Sequence, residues 1–295
     1  MGTTTTMGGR ALRWAGSGVL VAPAALLLGV MVAAPLATLL WYTFTPDTVT
    51  GTGGSLTFEN LGDIADTSLY VRLLAKTLLT AAIAAALTVA LCWPAAWTLS
   101  RMAARRRNLI LTLIIVPYLT SFLLLIYSIF VLLGSGGPIV VALSALGLVS
   151  EEATLLYRQS ATVVALVYES LPIALFVLYS TSEQIETSLL TAASSLGASP
   201  WERFRTVVLP LSATGLFTAF VLVFVPLCGA FVEPQVLGGP NGSLLGNTIS
   251  DQLTSINAPH FAASLSMLLL LGIFAVVAAL HGLQAGARAL LGARA

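Results

Sequence analysis

The chain reads as an all-α, polytopic membrane protein with six transmembrane helices. Three observations predict this. Hydrophobic residues make up 57% of its 295 positions and charged residues only 8%, whereas a soluble domain carries about 25% charged residues. Long stretches hold no charge at all, among them 14–46, 78–100 and 108–150, and about 20 apolar residues suffice to span a bilayer. Arginines gather at the ends of these stretches, which sets an orientation by the positive-inside rule.

Residues 1–13 are small and polar, carry Arg10 and Arg13, and form the expected cytoplasmic N-terminus of a transmembrane domain over 14–295. The first span is expected at 18–44, with Trp41 and Tyr42 as an interfacial anchor. A signal peptide is the competing reading, but its apolar region runs only about 7–15 residues. Residues 47–70 hold Asp47, Glu59, Asp63 and Asp66 without a basic residue, which predicts an outside loop with a short helix near Phe58 to Ala65. The second span is expected at 78–100, kinked at Pro94 and followed at once by Arg101, Arg105, Arg106 and Arg107. The uncharged run 108–150 is too long for one crossing and is broken by Gly134-Ser135-Gly136-Gly137-Pro138. Residues 108–133 are therefore the third span, and the eleven residues 139–149 an interfacial or re-entrant helix.

The fourth span, 161–181, is interrupted by Glu169 and Pro172. A polar island follows at 182–210, then a fifth span at 211–231, an outside segment over 233–260 and a sixth span at 261–280. Six crossings place both termini inside. Ten of the thirteen basic residues then face the cytoplasm, leaving Arg72, Lys76 and Arg158 outside.

Several function classes are excluded. A net charge of +1 argues against nucleic-acid binding. No GxxxxGK[ST] loop precedes the sole lysine, Lys76, so this chain does not bind ATP through a P-loop. No HExxH, CxxC or GxSxG pattern occurs, and no catalytic or metal-ligating residue is expected. Cys92 and Cys228 lie in apolar runs as packing residues, and His260 and His281 stand near span ends as interfacial side chains.

Within the polar island, residues 191–210 have a complete local grammar. Gly197 suits the left-handed end of a helix. Ser199 reads as an N-cap, with Pro200 at the first helical position and Glu202 closing a capping box. Pro210 is expected to end this second segment at Leu209. A helix, a glycine turn and a short second helix between spans make a shape for docking. An amphipathic loop lying on the lipid surface is the alternative.

These residues resemble the cytoplasmic EAA loop of the permease subunits of binding-protein-dependent ABC importers, spermidine/putrescine type. Ala192, Ala193, Gly197, Ala198, Pro200, Phe204, Leu209 and Pro210 fit that pattern, and Thr191 stands where the family usually has glutamate. The resemblance continues through Pro117-Tyr118-Leu119-Thr120-Ser121, Leu133-Gly134 and Gly136, and through Glu233-Pro234-Gln235, Leu237-Gly238-Gly239 and Gly246-Asn247-Thr248-Ile249. Leu125 and Ile129 depart from it, at positions where the family often has arginine and tryptophan.

The resemblance implies an ABC importer type I permease fold with both termini inside, in the cytoplasmic (inner) membrane. It implies three kinds of partner: ABC ATPase subunits that carry ATP and magnesium, a second permease subunit, and an extracytoplasmic solute-binding protein. Trp201 and Phe204 would be apolar anchors on the ATPase, with Glu202, Arg203 and Arg205 as polar rim contacts. Glu183 or Glu186 would partly replace the carboxylate missing at Thr191. The implied solute is a polyamine, although the same group includes permeases for metal ions such as iron, for thiamine and for phosphonates. An ion-gradient-driven secondary transporter is the other functional class. Two readings of Glu169 stand: balancing an ammonium group with Tyr127 and Tyr168 supplying cation–π contacts, or a structural carboxyl between helices. Glu233 similarly faces the substrate path or orders its own loop.

Overall fold

A backbone N–H or C=O in hydrocarbon finds no water, so an apolar run crossing a membrane must satisfy its own hydrogen bonds as a helix. The computed structural model describes residues 8–46, 56–150 and 152–292, and side chains within 23–286 of these. Regular structure among the described residues is entirely helical. The elements are α1 (Gly8–Thr43), α2 (Glu59–Asp66), α3 (Ser68–Ser100), α4 (Ala104–Ile115), α5 (Phe122–Leu133), α6 (Pro138–Ala145), α7 (Gln159–Glu183) and α8 (Thr187–Ser195). A continuous helix α9 (Pro200–Cys228) follows, then α10 (Leu245–Thr254) and α11 (Pro259–Gly292). Residues 1–7, Asp47, Glu151 and Arg294 lie outside the described residues, as do the side chains of Arg10, Arg13 and Arg288.

Among the described residues, six stretches are long and apolar enough to cross a membrane. On length and composition alone the third of these is Phe122–Ala145, which joins α5 to α6 across the glycine break. Geometry selects a different stretch. Arg107, at the start of α4, pairs with Glu183 at the end of α7. Leu133, at the end of α5, packs on Leu156 and Ala161, and its carbonyl accepts the Leu155 N–H at 3.1 Å. Residues 104–133 therefore run the whole length of α7 in the opposite direction. The described residues of 134–154 leave and return to the same end of α7, where Leu155 bonds back to Leu133. The expected single helix over 108–133 is corrected in one respect. It is two 12-residue helices joined by a 3₁₀ turn at Val116–Leu119, where Pro117 cannot continue the ladder.

A second correction concerns Pro210. It does not end the helix that begins at Pro200. The helix runs on to Cys228, with a π-helical turn over Phe204–Val208 just before the proline. Widening the turn accommodates the missing N–H, which would otherwise break the bond to the residue four positions earlier. The short docking helix and the fifth span are thus one rod.

The core lies where α3, α7 and α9 meet. The buried face of α3 is built from small side chains, Thr77, Ala81, Ala84, Ala85, Thr88, Cys92 and Ala96. Small residues let helix backbones approach, which supplies the van der Waals contact that holds helices together in lipid. Thr77, Thr80 and Thr88 return their hydroxyls to carbonyls four residues earlier, so none presents an unmet polar group. The closest approach is at Gly215 of α9, where an added Cβ would lie 2.3 Å from the Thr181 side chain of α7. By contrast α1 buries none of its apolar window and packs on α11 near its end, where the Tyr42 and His260 rings meet at 4.7 Å.

Gly215→Val should force α7 and α9 apart and destabilise the protein by about 1–3 kcal/mol, read as a lower melting temperature of the detergent-purified chain. Gly62→Ala in α2, which meets nothing within 4 Å, should leave it unchanged or slightly raised, since alanine gains up to about 1 kcal/mol over glycine in a helix.

Candidate functional site

Two regions gather the residues singled out from the sequence. The first lies at the end of α9 farthest from Arg101–Arg107. Helix α9 stops at Cys228, and the Gly229 N–H closes back on the Pro226 carbonyl. The chain then turns, pinned where Asn247 Nδ2 donates to the Phe231 carbonyl at 2.7 Å. Pro234 opens a wide turn over Pro234–Gly238. This route carries Glu233 inward until it is only 3% exposed. There it lies near Glu169 of α7. Both line a cavity of about 210 Å³ with Phe122 and Phe231. Among the described residues the ion pair found is Arg107–Glu183, so no basic side chain neutralises either acid of this couple.

Next to Glu169 the α7 ladder is interrupted. Pro172 has no N–H, so the carbonyl of Tyr168, four residues earlier, loses its partner. The hydroxyl of Tyr118, in the 3₁₀ turn between α4 and α5, donates to that carbonyl, and the two tyrosine rings stack at 5.8 Å. One turn on, the Cys92 thiol of α3 donates to the Leu171 carbonyl at 3.4 Å. The structure thus brings Glu169, Glu233 and Tyr168 into one neighbourhood. Tyr127 stands apart from it, 63% exposed on α5 and stacked on Phe130. Leu125 and Ile129, with Tyr168, line a separate apolar cavity of about 310 Å³ between α5 and α7.

The second region is the polar island at the arginine-rich end. Gly197 takes φ +83°, and the Ala198 N–H closes on the Ala193 carbonyl at 3.1 Å, ending α8. Ser199 caps α9: its hydroxyl accepts the Glu202 N–H at 3.3 Å, and Glu202 Oε2 accepts the Ser199 N–H at 2.7 Å. Ala192, Ala193 and Ala198 make the turn compact, and Pro200 starts the new helix. Trp201 is 67% exposed and Leu196 88% exposed, so an apolar surface projects from the turn.

Phe204 does not share that surface with Trp201. It stacks on Trp201 at 5.3 Å and meets the Trp93 ring of α3 at a tilt, 5.2 Å away, so it faces the spans. Arg203 is likewise committed within the loop, donating to Ser194 Oγ at 2.8 Å. Thr191 is exposed and donates to the Thr187 carbonyl of its own helix at 3.0 Å. Neither neighbouring carboxylate touches it: Glu183 pairs with Arg107 at 3.2 Å and Glu186 accepts the Ser188 hydroxyl at 2.8 Å. Pro210 lies inside α9.

Residues 82–284 match the family described as the binding-protein-dependent transport system inner membrane component. The spermidine/putrescine transport system permease protein PotB of Escherichia coli is 33% identical over 213 residues, covering 72% of this chain and 77% of that one. Its namesake in Haemophilus influenzae is 34% identical over 223 residues, covering 74% and 78%. The molybdenum transport system permease protein ModB of Azotobacter vinelandii is 35% identical over 146 residues, covering 50% and 63%. A chain of a bacterial ABC transporter involved in the import of the acidic polysaccharide alginate shares the fold, with a TM-score of 0.74 and 13% identity over 93% of this chain and 98% of that one. The alginate transporter in complex with an alginate pentasaccharide-bound periplasmic protein matches with a TM-score of 0.72 and 13% identity, over 92% and 94%.

Tyr118→Phe should strand the Tyr168 carbonyl and cost about 1–3 kcal/mol, seen as a lower melting temperature, while Tyr127→Phe should leave it unchanged. Gly197→Ala should strain the left-handed turn by about 1–2 kcal/mol and speed limited proteolysis between α8 and α9.

Proposed function

As a member of the family of inner membrane components of binding-protein-dependent transport systems, the chain is a multi-pass membrane permease and not an enzyme, and we propose that it is the polyamine-conducting half of an ATP-driven importer. The Arg101–Arg107 end faces the cytoplasm, with both termini on that side. The turn between α8 and α9 docks onto a separate ATPase subunit, which holds ATP and magnesium. Trp201 and Leu196 enter the ATPase surface, with Glu202 and Arg205 at the rim. A second permease subunit completes the pore, and a solute-binding protein delivers cargo at the opposite end, as the periplasmic partner of the alginate transporter suggests. ATP binding closes the ATPases and turns the pore outward; hydrolysis returns it.

The observation that carries the substrate class is that Glu169 and the buried Glu233 line one cavity, with no ion-pair partner for either among the described residues. A carboxyl in a membrane span costs about 2.5–3.5 kcal/mol, and two together suit a cationic visitor. An ammonium group entering this couple replaces water with charged hydrogen bonds and neutralises the local field. Phe122 and Phe231 line the same cavity, and aromatic rings attract cations. Relatives named for spermidine and putrescine transport point the same way.

The test is uptake of labelled spermidine into proteoliposomes holding the assembled transporter. Depleting ATP while an ion gradient is held should abolish uptake; persistence would identify a secondary transporter instead. Glu169→Gln should raise the apparent KM about tenfold, the loss of one charged contact, with ATPase assembly intact. Unchanged uptake kinetics would remove Glu169 from the path.

A further inference from the structure

Helix α3 is connected in sequence to neither the coupling turn nor the outer mouth, yet both are fastened to it. At the cytoplasmic end, Arg101 donates to the Ile185 carbonyl at 2.9 Å and reaches the Ser182 carbonyl at 3.5 Å. These are the carbonyls through which α7 passes into α8. The same guanidinium lies over the Trp97 ring at 4.4 Å, which fixes its direction. Trp93, one turn further in, packs on Phe204 at the root of α9. Entry to and exit from the coupling turn therefore both rest on α3.

At the outer end the pattern repeats. Lys76, half-buried, donates to the carbonyls of Asn241 at 2.7 Å and Ser243 at 2.9 Å. The adjacent Thr77 hydroxyl accepts the Leu245 N–H at 2.9 Å. The 239–245 segment follows directly on the turn that carries Glu233 into its cavity. Between the two ends α3 is one 33-residue helix that continues through Pro94, about 50 Å long at 1.5 Å per residue. Its buried face of alanine and threonine leaves little side-chain slack against α7 and α9. Movement at one end of such a rod reaches the other with little loss.

We infer that α3 is the strut linking the ATPase-docking turn to the outer mouth, with Lys76 and Arg101 as positioning residues at its two ends. Lys76, the sole lysine, suits this role because one ammonium can hold two carbonyls of a turn at once. The inference rests on the importer reading, since it needs an ATPase at one end and a loaded binding protein at the other.

The experiment uses the complete importer in proteoliposomes, with spermidine as the probe. ATP hydrolysis is measured with and without the spermidine-loaded binding protein. Lys76→Gln should keep basal hydrolysis and lose stimulation by about fivefold, in the range expected of a residue coupling distant sites. Lys76→Arg, which can still donate to both carbonyls, should retain stimulation. Thr77→Val, which strands the Leu245 N–H without changing shape, should lower it in the same direction and decides the matter if Lys76→Gln fails to assemble. The Lys76→Gln/Arg101→Gln double variant should be no worse than the poorer single one, because a strut freed at one end transmits nothing. Full stimulation in Lys76→Gln, or a double variant whose loss is the product of the two single losses, overturns the strut. Absence of stimulation in the wild-type complex overturns the importer reading and the strut with it.

Discussion

The close approach of three helices along the small-residue face of α3 is the constraint on which the rest of this structure depends. In lipid there is little hydrophobic gain in bringing helices together, so contact must come from shape. Alanines at 81, 84, 85 and 96, and glycine at 215, let α3, α7 and α9 reach backbone-to-backbone distances that larger side chains would forbid. Once those helices are set, the peripheral elements have fixed places. The α4–α5 pair lies along α7, α10 packs on α11, and α1 packs against α11.

The same low-polarity surroundings explain why the polar groups at depth come in sets. Pro172 frees one carbonyl in α7, and a tyrosine from the neighbouring crossing supplies the missing proton donor. That requirement gives the break between α4 and α5 a purpose, because the 3₁₀ turn is what carries Tyr118 to the right height. Glu169 and Glu233 line one cavity in the same layer. A membrane protein built for stability alone would place neither acid there.

Much of the fold was legible in the sequence because its signals are compositional: charge-free runs of spanning length, arginines at their ends, and glycines at the breaks. The capping box at Ser199 and the left-handed Gly197 were legible too, since both follow from local stereochemistry. What stayed hidden depends on distant partners. Phe204 and Trp201 stand three residues apart, which suggests a common face, but Trp93 draws Phe204 toward the spans. Pro210 reads as a terminator because its missing N–H is local knowledge, whereas the wide turn that absorbs it is not. Pro172 announces that a carbonyl needs a donor without saying which residue provides it. Glu183 is adjacent to the coupling turn in sequence, and only the fold shows that Arg107 has claimed it.

The π-helical turn at Phe204–Val208 also sets an angle. A wide turn holds an additional residue within one hydrogen-bonded loop, and each residue of a regular helix advances the side-chain direction by about 100°. The tip that presents Trp201 is therefore rotated by about that amount, relative to Gly215 and the membrane face, from where an uninterrupted α-helix would put it. A helical wheel drawn through 200–228 assigns the tip to the wrong side. The azimuth of the exposed Trp201 is thus stored in five residues between the tip and the bilayer. Removing one of them would re-aim the tip without altering a single residue on it.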